Sequence, residues 1–358
     1  MNNHHLAQLK ALIKAQGLAA FLLTDTVHGY YFSGFTGTNC WLLITAEAQD
    51  YFITDFRYRE QARTEVTGFE LVIQEQSAYE TLGKLIKQVG INKIGVDQDE
   101  LTLAVYTRLN EEIAAGTLVP LPNPAKKIRR VKSAEELELI KKAVEIADKA
   151  FLHILDYLRP GITEKEVAFE LEFFMRRLGG TRNAFETIVA SGERAALPHG
   201  VASNKVMAAG EMVVLDFGTV YQGYHSDLTR TVFLGEPDAR AQEIYRVVLE
   251  AQEKALKHIQ PGMRASEADL LAREIISDAG YGGFFGHGLG HGVGLAIHEE
   301  PSLSPRDETI LEPGMIVTVE PGIYIPGWGG IRIEDMVFLS PGGCEILTRS
   351  PKNLITLI

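Results

Sequence analysis

The chain has 358 residues, enough for two domains with full cores, and its 46% hydrophobic and 23% charged content is ordinary for a folded protein in water. A net charge of -12 argues against nucleic acid as the main partner, because phosphate-backbone binding needs clustered Lys and Arg. No apolar stretch nears the ~20 residues that would cross a bilayer, so no membrane role is expected.

Along the chain, Leu6, Leu9 and Ile13 make a helical stripe. Residues 19–24, 41–45, 51–54, 69–74 and 93–97 read as strands, with helical segments at 78–89 and 102–114 between them. That alternation predicts an N-terminal α/β domain over residues 1–125, closed by Pro120, Pro122 and Pro124. The basic run Lys126, Lys127, Arg129, Arg130 and Lys132 reads as a solvated linker into a second domain, 126–358. Two cysteines, Cys40 and Cys344, make no disulfide framework and suit a reducing compartment. Met1-Asn2-Asn3-His4-His5 does not open a secretory signal, so a cytoplasmic location is expected.

The second domain begins with a long amphipathic helix, capped by Ser133 with Glu136; Thr163 and Glu166 form another such cap. The apolar run 212–215 ends on Asp216, and Asp227 opens the segment 227–234. The intervening residues read as a tight turn centred at Tyr221/Gln222, which predicts that Asp216 and Asp227 face each other across a hairpin. Glu320 and Glu334 repeat the pattern around Pro326-Gly327-Trp328-Gly329. Like charges set opposite each other destabilise a sheet, and buried unpaired carboxylates are costly. Two such pairs therefore call for cations, and oxygen-rich ligation suits divalent Mn, Co or Zn.

The pairs look like halves of a duplication. Gly210 stands six residues before Asp216, as Gly314 does before Glu320, and Val232-Phe233-Leu234 matches Val337-Phe338-Leu339. Pro160-Gly161-Ile162-Thr163-Glu164 resembles Pro261-Gly262-Met263-Arg264-Ala265-Ser266-Glu267, each opening a helix. Two similar halves closing on a shared centre are expected. The stretch 286–295 carries His287 and His291 four residues apart, but its glycine density excludes a stable helix. Those glycines suggest close backbone approach to a ligand. One imidazole beside four carboxylates completes a five-ligand, two-metal site, and His291 is the better candidate. His199 precedes the first acid strand as His298 precedes the second, and Arg332 shares a strand face with Glu334. A two-metal centre supplies hydroxide at neutral pH and polarises a carbonyl, so amide or ester hydrolysis is its natural use. A metal-stabilised scaffold without turnover competes with that reading.

At these residues the whole chain resembles the pita-bread metallopeptidases, which include prolidase, aminopeptidase P, methionine aminopeptidase and the metal-free creatinase. The resemblance implies an α+β protein: an N-terminal creatinase-like α/β domain followed by a pita-bread catalytic domain with pseudo-twofold halves. It implies Asp216, Asp227, His291, Glu320 and Glu334 as ligands of two divalent ions, Mn foremost with Co or Zn as alternatives, Asp227 and Glu334 bridging. A bridging hydroxide attacks the scissile carbonyl in such enzymes, and the residue matching Glu320 assists proton transfer. His199 and His298 match histidines that contact substrate and stabilise the tetrahedral intermediate. His287, Tyr324 and Arg332 match further pocket residues. The complete ligand set disfavours creatinase, and the N-terminal domain disfavours methionine aminopeptidase. The segment Tyr31-Phe32-Ser33-Gly34-Phe35-Thr36-Gly37 resembles bacterial aminopeptidase P-like and prolidase-like members. What remains resembles an Xaa-Pro dipeptidase or aminopeptidase, and that resemblance implies a homodimer acting on proline-containing dipeptides or short peptides. A non-peptide hydrolase or lyase, or a non-catalytic peptide-binding module, are the alternatives on the same scaffold.

Overall fold

In the computed structural model, which describes residues 2–113 and 117–357, the apolar runs of the first 129 residues become one sheet. Its strands are β1 (Ala20–Leu23), β2 (Trp41–Thr45), β3 (Tyr51–Thr54), β4 (Glu70–Ile73), β5 (Lys93–Asp97) and β6 (Thr117–Leu121), in the order β4-β3-β2-β1-β5-β6. The pairs β1–β2 and β2–β3 are antiparallel; β4, β5 and β6 join in parallel. Buried on both sides, β1 and β3 read as unbroken apolar runs rather than alternating ones. Pro120 sits in the edge strand β6, where a missing N–H is tolerated.

The helices of this unit are α1 (Asn2–Ala15), α2 (Thr26–Ser33), α3 (Arg59–Glu65), α4 (Ala78–Val89), α5 (Leu103–Glu112) and α6 (Pro124–Arg130). Position 114, the last of the predicted helix 102–114, lies outside the described residues. Helix α2 was not legible from its composition. Asp25 caps its start, Gly34 in the left-handed region ends it, and burial of Tyr31 and Phe32 outweighs a poor helical propensity.

The chain divides at Arg129/Arg130 into two units. The second holds α7 (Ala134–Tyr157), α8 (Glu164–Arg177), β7 (Arg182–Asn183), β8 (Ile188–Ser191), β9 (Met212–Phe217), β10 (Thr219–Tyr221), β11 (Tyr224–His225) and β12 (Leu228–Leu234). There follow α9 (Ala239–His258), α10 (Ala265–Asp278), β13 (Gly290–Gly292), β14 (Glu299–Leu303), β15 (Ile316–Val319), β16 (Gly322–Ile325), β17 (Gly329–Arg332), β18 (Asp335–Ser340), β19 (Gly343–Ile346) and β20 (Thr356–Leu357). Each half thus runs helix, helix, acid-bearing hairpin. Both predicted capping boxes form, at Ser133/Glu136 and Thr163/Glu166. The sheets β20-β12-β9-β8 and β14-β13-β15-β18-β19 carry the acids at their strand ends. No described helix is long and apolar enough to cross a membrane.

Two expectations need correction. The hairpin register differs by one residue from the predicted midpoint. Asp216 pairs with Thr229, Phe217 with Leu228 and Tyr221 with Tyr224, which centres the turn on Gln222-Gly223. Both turn residues have positive φ, 45° and 86°, as a two-residue hairpin turn of the primed type requires. Gln222 takes the first central position although positive φ favours Gly, Asn or Asp, so its side chain does not mark the turn's centre. Asp227 therefore lies diagonally from Asp216, one strand pleat away, rather than opposite it. In the second half, Val319 pairs with Asp335, so continuing the register by one residue does set Glu320 against Glu334.

The basic run is not a solvated linker. Residues Pro124–Arg130 form α6, and Ile128, Arg129 and Lys132 are buried. Lys132 Nζ meets Glu299 Oε2 at 3.1 Å with both side chains almost wholly enclosed, and Arg130 binds Glu300. Five cations in seven residues suggest a solvated face, but the acidic partners of Arg130 and Lys132 stand 170 and 167 residues away and are invisible locally.

Candidate metal centre

The strand ends gather the acids into one place. Asp216, Asp227 and Glu334 each offer an oxygen within 4.8 Å of the others. Asp227 and Glu334 are buried, and two oxygens here, Asp216 Oδ1 and Glu334 Oε1, are enclosed without any hydrogen-bond donor. Buried acceptors are rarely left so, and like-charged ones less readily still. Burial, then the neighbouring acids, push the carboxyls of Asp227 and Glu334 well above the usual range. Four ionised acids cannot share this space without a cation.

The imidazole of His291 completes the donor set. Its Nδ1–H donates to the carbonyl of Gly292 at 3.0 Å, which aims Nε2 at Glu320 Oε1 (3.3 Å) and Asp227 Oδ2 (3.6 Å). Gly290 is needed beside it: a Cβ there would lie 2.0 Å from the carbonyl oxygen of Thr318. Gly288 and Gly292 likewise stand where neighbouring backbone approaches closely, at Leu303 and Glu300. Four oxygen donors and one nitrogen, with orphaned lone pairs among them, fit hard or borderline divalent ions.

Around this set lies a chain of neutral and cationic groups. Arg332 donates from Nη2 to Asp216 Oδ2 at 2.5 Å, from Nη1 to the Tyr324 hydroxyl at 2.8 Å, and from Nε to Thr229 Oγ1 at 3.0 Å. Tyr324, pushed up to about 12 by burial, stays a phenol. Burial also lowers His287, so its neutral Nε2 accepts from the Tyr324 hydroxyl (2.9 Å) while Nδ1–H donates to Gly288. The structure thus brings His287, Tyr324 and Arg332 together on the Asp216 side. His298 stacks edge-on against His291, with ring centres 4.4 Å apart, and burial and then His291 lower its basicity. His199 is exposed on the segment before β9, yet near enough for its charge to act on His298.

Sequence reasoning missed three supports. Thr229 Oγ1 donates to Glu334 Oε2 at 2.8 Å, and Thr318 Oγ1 to Glu320 Oε1 at 3.0 Å. Each stands two residues from an acid, hence on the same strand face, and that spacing could have flagged them. The third is Arg230, 1% exposed, which donates to the carbonyls of Thr229, Glu334, Ser350 and Pro351 and pairs with Asp335 at 2.8 Å. Its nearest sequence neighbours gave no hint of so many distant partners. Arg230→Met should lower folding stability by ~1–3 kcal/mol, because it takes the donor from buried carbonyls at Glu334 and Ser350 while Asp335 keeps Lys352, Gln252 and Thr348. A shift in the urea midpoint measures this, and an unchanged midpoint contradicts it.

Residues 138–341 match the model of metallopeptidase family M24, and residues 5–131 that of the creatinase/prolidase N-terminal domain. An Xaa-Pro dipeptidase of Pyrococcus horikoshii is 38% identical over 99% of both chains. Among solved structures, an Xaa-Pro dipeptidase from Bacillus anthracis is 47% identical over 99% of both chains, with a TM-score of 0.96. An X-Pro aminopeptidase from Thermotoga maritima is 42% identical over 95% of this chain and 98% of its own, with a TM-score of 0.88.

Proposed function

The chain belongs to metallopeptidase family M24, with a creatinase/prolidase-type N-terminal domain, and from that premise we propose that it is an Xaa-Pro exopeptidase. The observation that carries the reading is the trio Asp216, Asp227 and Glu334 with its donorless buried oxygens. Asp216, Asp227, His291, Glu320 and Glu334 would hold two divalent ions, Mn foremost. When bound, such ions supply hydroxide at neutral pH and polarise the scissile carbonyl.

The chain's own residues do the rest. Glu320, steadied by Thr318, takes the proton of the attacking water and passes it to the departing proline nitrogen. His298 and His199 donate to the oxygen that gains charge as the carbonyl becomes tetrahedral. Arg332 holds Asp216 in place through the 2.5 Å bond, and the Tyr324–His287 pair lines the wall beside it. In this reading the enzyme works in the cytoplasm as a homodimer on proline-containing dipeptides or short peptides.

A panel of Xaa-Pro dipeptides and Xaa-Pro-Yaa peptides, with Mn or Co supplied, tests this. Release of the first residue from dipeptides alone marks a dipeptidase, and release from the longer peptides an aminopeptidase. No release from any peptide would leave a lyase, a non-peptide hydrolase or a peptide-binding module as the better account.

A further inference from the structure

Glu164 is fully buried, yet its carboxylate is one of the most heavily used groups in the second unit. Oε1 accepts from the backbone N–H of Ser191 at 2.8 Å and its hydroxyl at 2.9 Å. Oε2 accepts from the N–H of Ser203 at 3.0 Å and its hydroxyl at 2.6 Å. Arg194 Nε lies 3.2 and 3.0 Å from the two oxygens, and its Nη2 reaches on to the carbonyl of Val201 at 2.7 Å. Ser191 and Ser203 are the two ends of the segment that carries His199. One carboxylate therefore ties both ends, and the arginine it holds crosses between them. From the site side, Arg332 Nη1 donates to the carbonyl of Pro198 at 3.3 Å.

We propose that Glu164 is a positioning residue: through Ser191, Ser203 and Arg194 it fixes the 192–202 segment so that His199 faces the metal centre. This rests on the proposed role of His199. The duplication supports it. Thr163 and Arg264 are matching helix caps, so the counterpart of Glu164 is Ala265, a residue with no carboxylate. The clamp is thus confined to the half that bears His199 and is not part of the shared scaffold.

Every partner of the Glu164 carboxylate is a donor, so an amide NH2 in its place must face N–H and O–H groups. Glu164→Gln is consequently disruptive although nearly isosteric. A misplacement on the order of 1 Å can cost about 100-fold in rate. The Mn-loaded enzyme carrying Glu164→Gln should lose about that much kcat with KM little changed and metal content intact. Amides of 192–203 should exchange hydrogen faster. In a His199→Ala background the same change should lower kcat no further, because the residue it places is gone. Ser203→Ala, which removes one bond only, should move in the same direction by a smaller factor and covers the case of poor folding. An equal loss in both backgrounds, or unchanged exchange in the segment, overturns the proposal. If His199→Ala alone turns over normally, the role of His199 fails; faster exchange without catalytic loss would then return Glu164 to a purely structural place.

Discussion

Asp227→Asn is expected to remove at least one of two bound divalent ions and lower peptidase turnover roughly 1,000-fold, beyond the 10- to 100-fold typical of losing an outer hydrogen-bond partner. The change should nevertheless stabilise the metal-free fold at neutral pH. Burial and the acids Glu334 and Asp216 raise the folded-state pKa of Asp227 well above its unfolded value. Such a group favours folding while protonated, and that contribution is lost as pH rises from about 4 through the higher folded value. At pH 7 the wild-type, metal-free chain must either hold that proton or carry the repulsion of the neighbouring acids, and Asn does neither. Chelator-treated Asp227→Asn should therefore melt above the wild type at pH 7, with the gain vanishing near pH 3. Two Mn ions per chain in the variant, or a lower melting temperature without metal, would count against a cation site.

His298→Ala and His199→Ala come next in size. If each imidazole donates to the oxyanion, its loss should lower turnover roughly 100- to 1,000-fold while both metal ions stay bound. His298 should be the more severe, since it packs directly on His291 and is held by its neighbour Glu299 through Lys132. Neither belongs to the ligand set, so metal content measured on the same samples separates chemistry from assembly. A lowered melting temperature with near-normal turnover would assign both rings to packing.

Much of this architecture was legible because it is written in short-range terms. Strands 41–45, 51–54 and 93–97 coincide with those observed, since an apolar run between turn residues has few alternatives. The ligand candidates stood out because acids at the ends of apolar strands are costly unless paired, and the structure gathers them. What remained hidden is non-local. The register of the first hairpin depended on whether Gln222 would accept φ 45°, which nothing in its side chain announces. Burial of Lys132, Arg230 and Glu164 depends on partners far along the chain or on segments folded around them. Helix α2 exists because its aromatic rings find a core, not because its residues favour a helix.

The partners of Arg230 bear on the order of events when the protein is made. Arg230 reaches Glu334, Asp335, Ser350 and Pro351, 104 to 121 residues downstream, and Thr356 pairs beside Phe233. The first two acids leave the ribosome long before the residues that hold their cluster in shape. Contacts of such sequence separation form slowly. Completion of the candidate site is thus a late event, following synthesis of residues 350–357, and an ion that binds only the finished site would pull the fold forward by mass action.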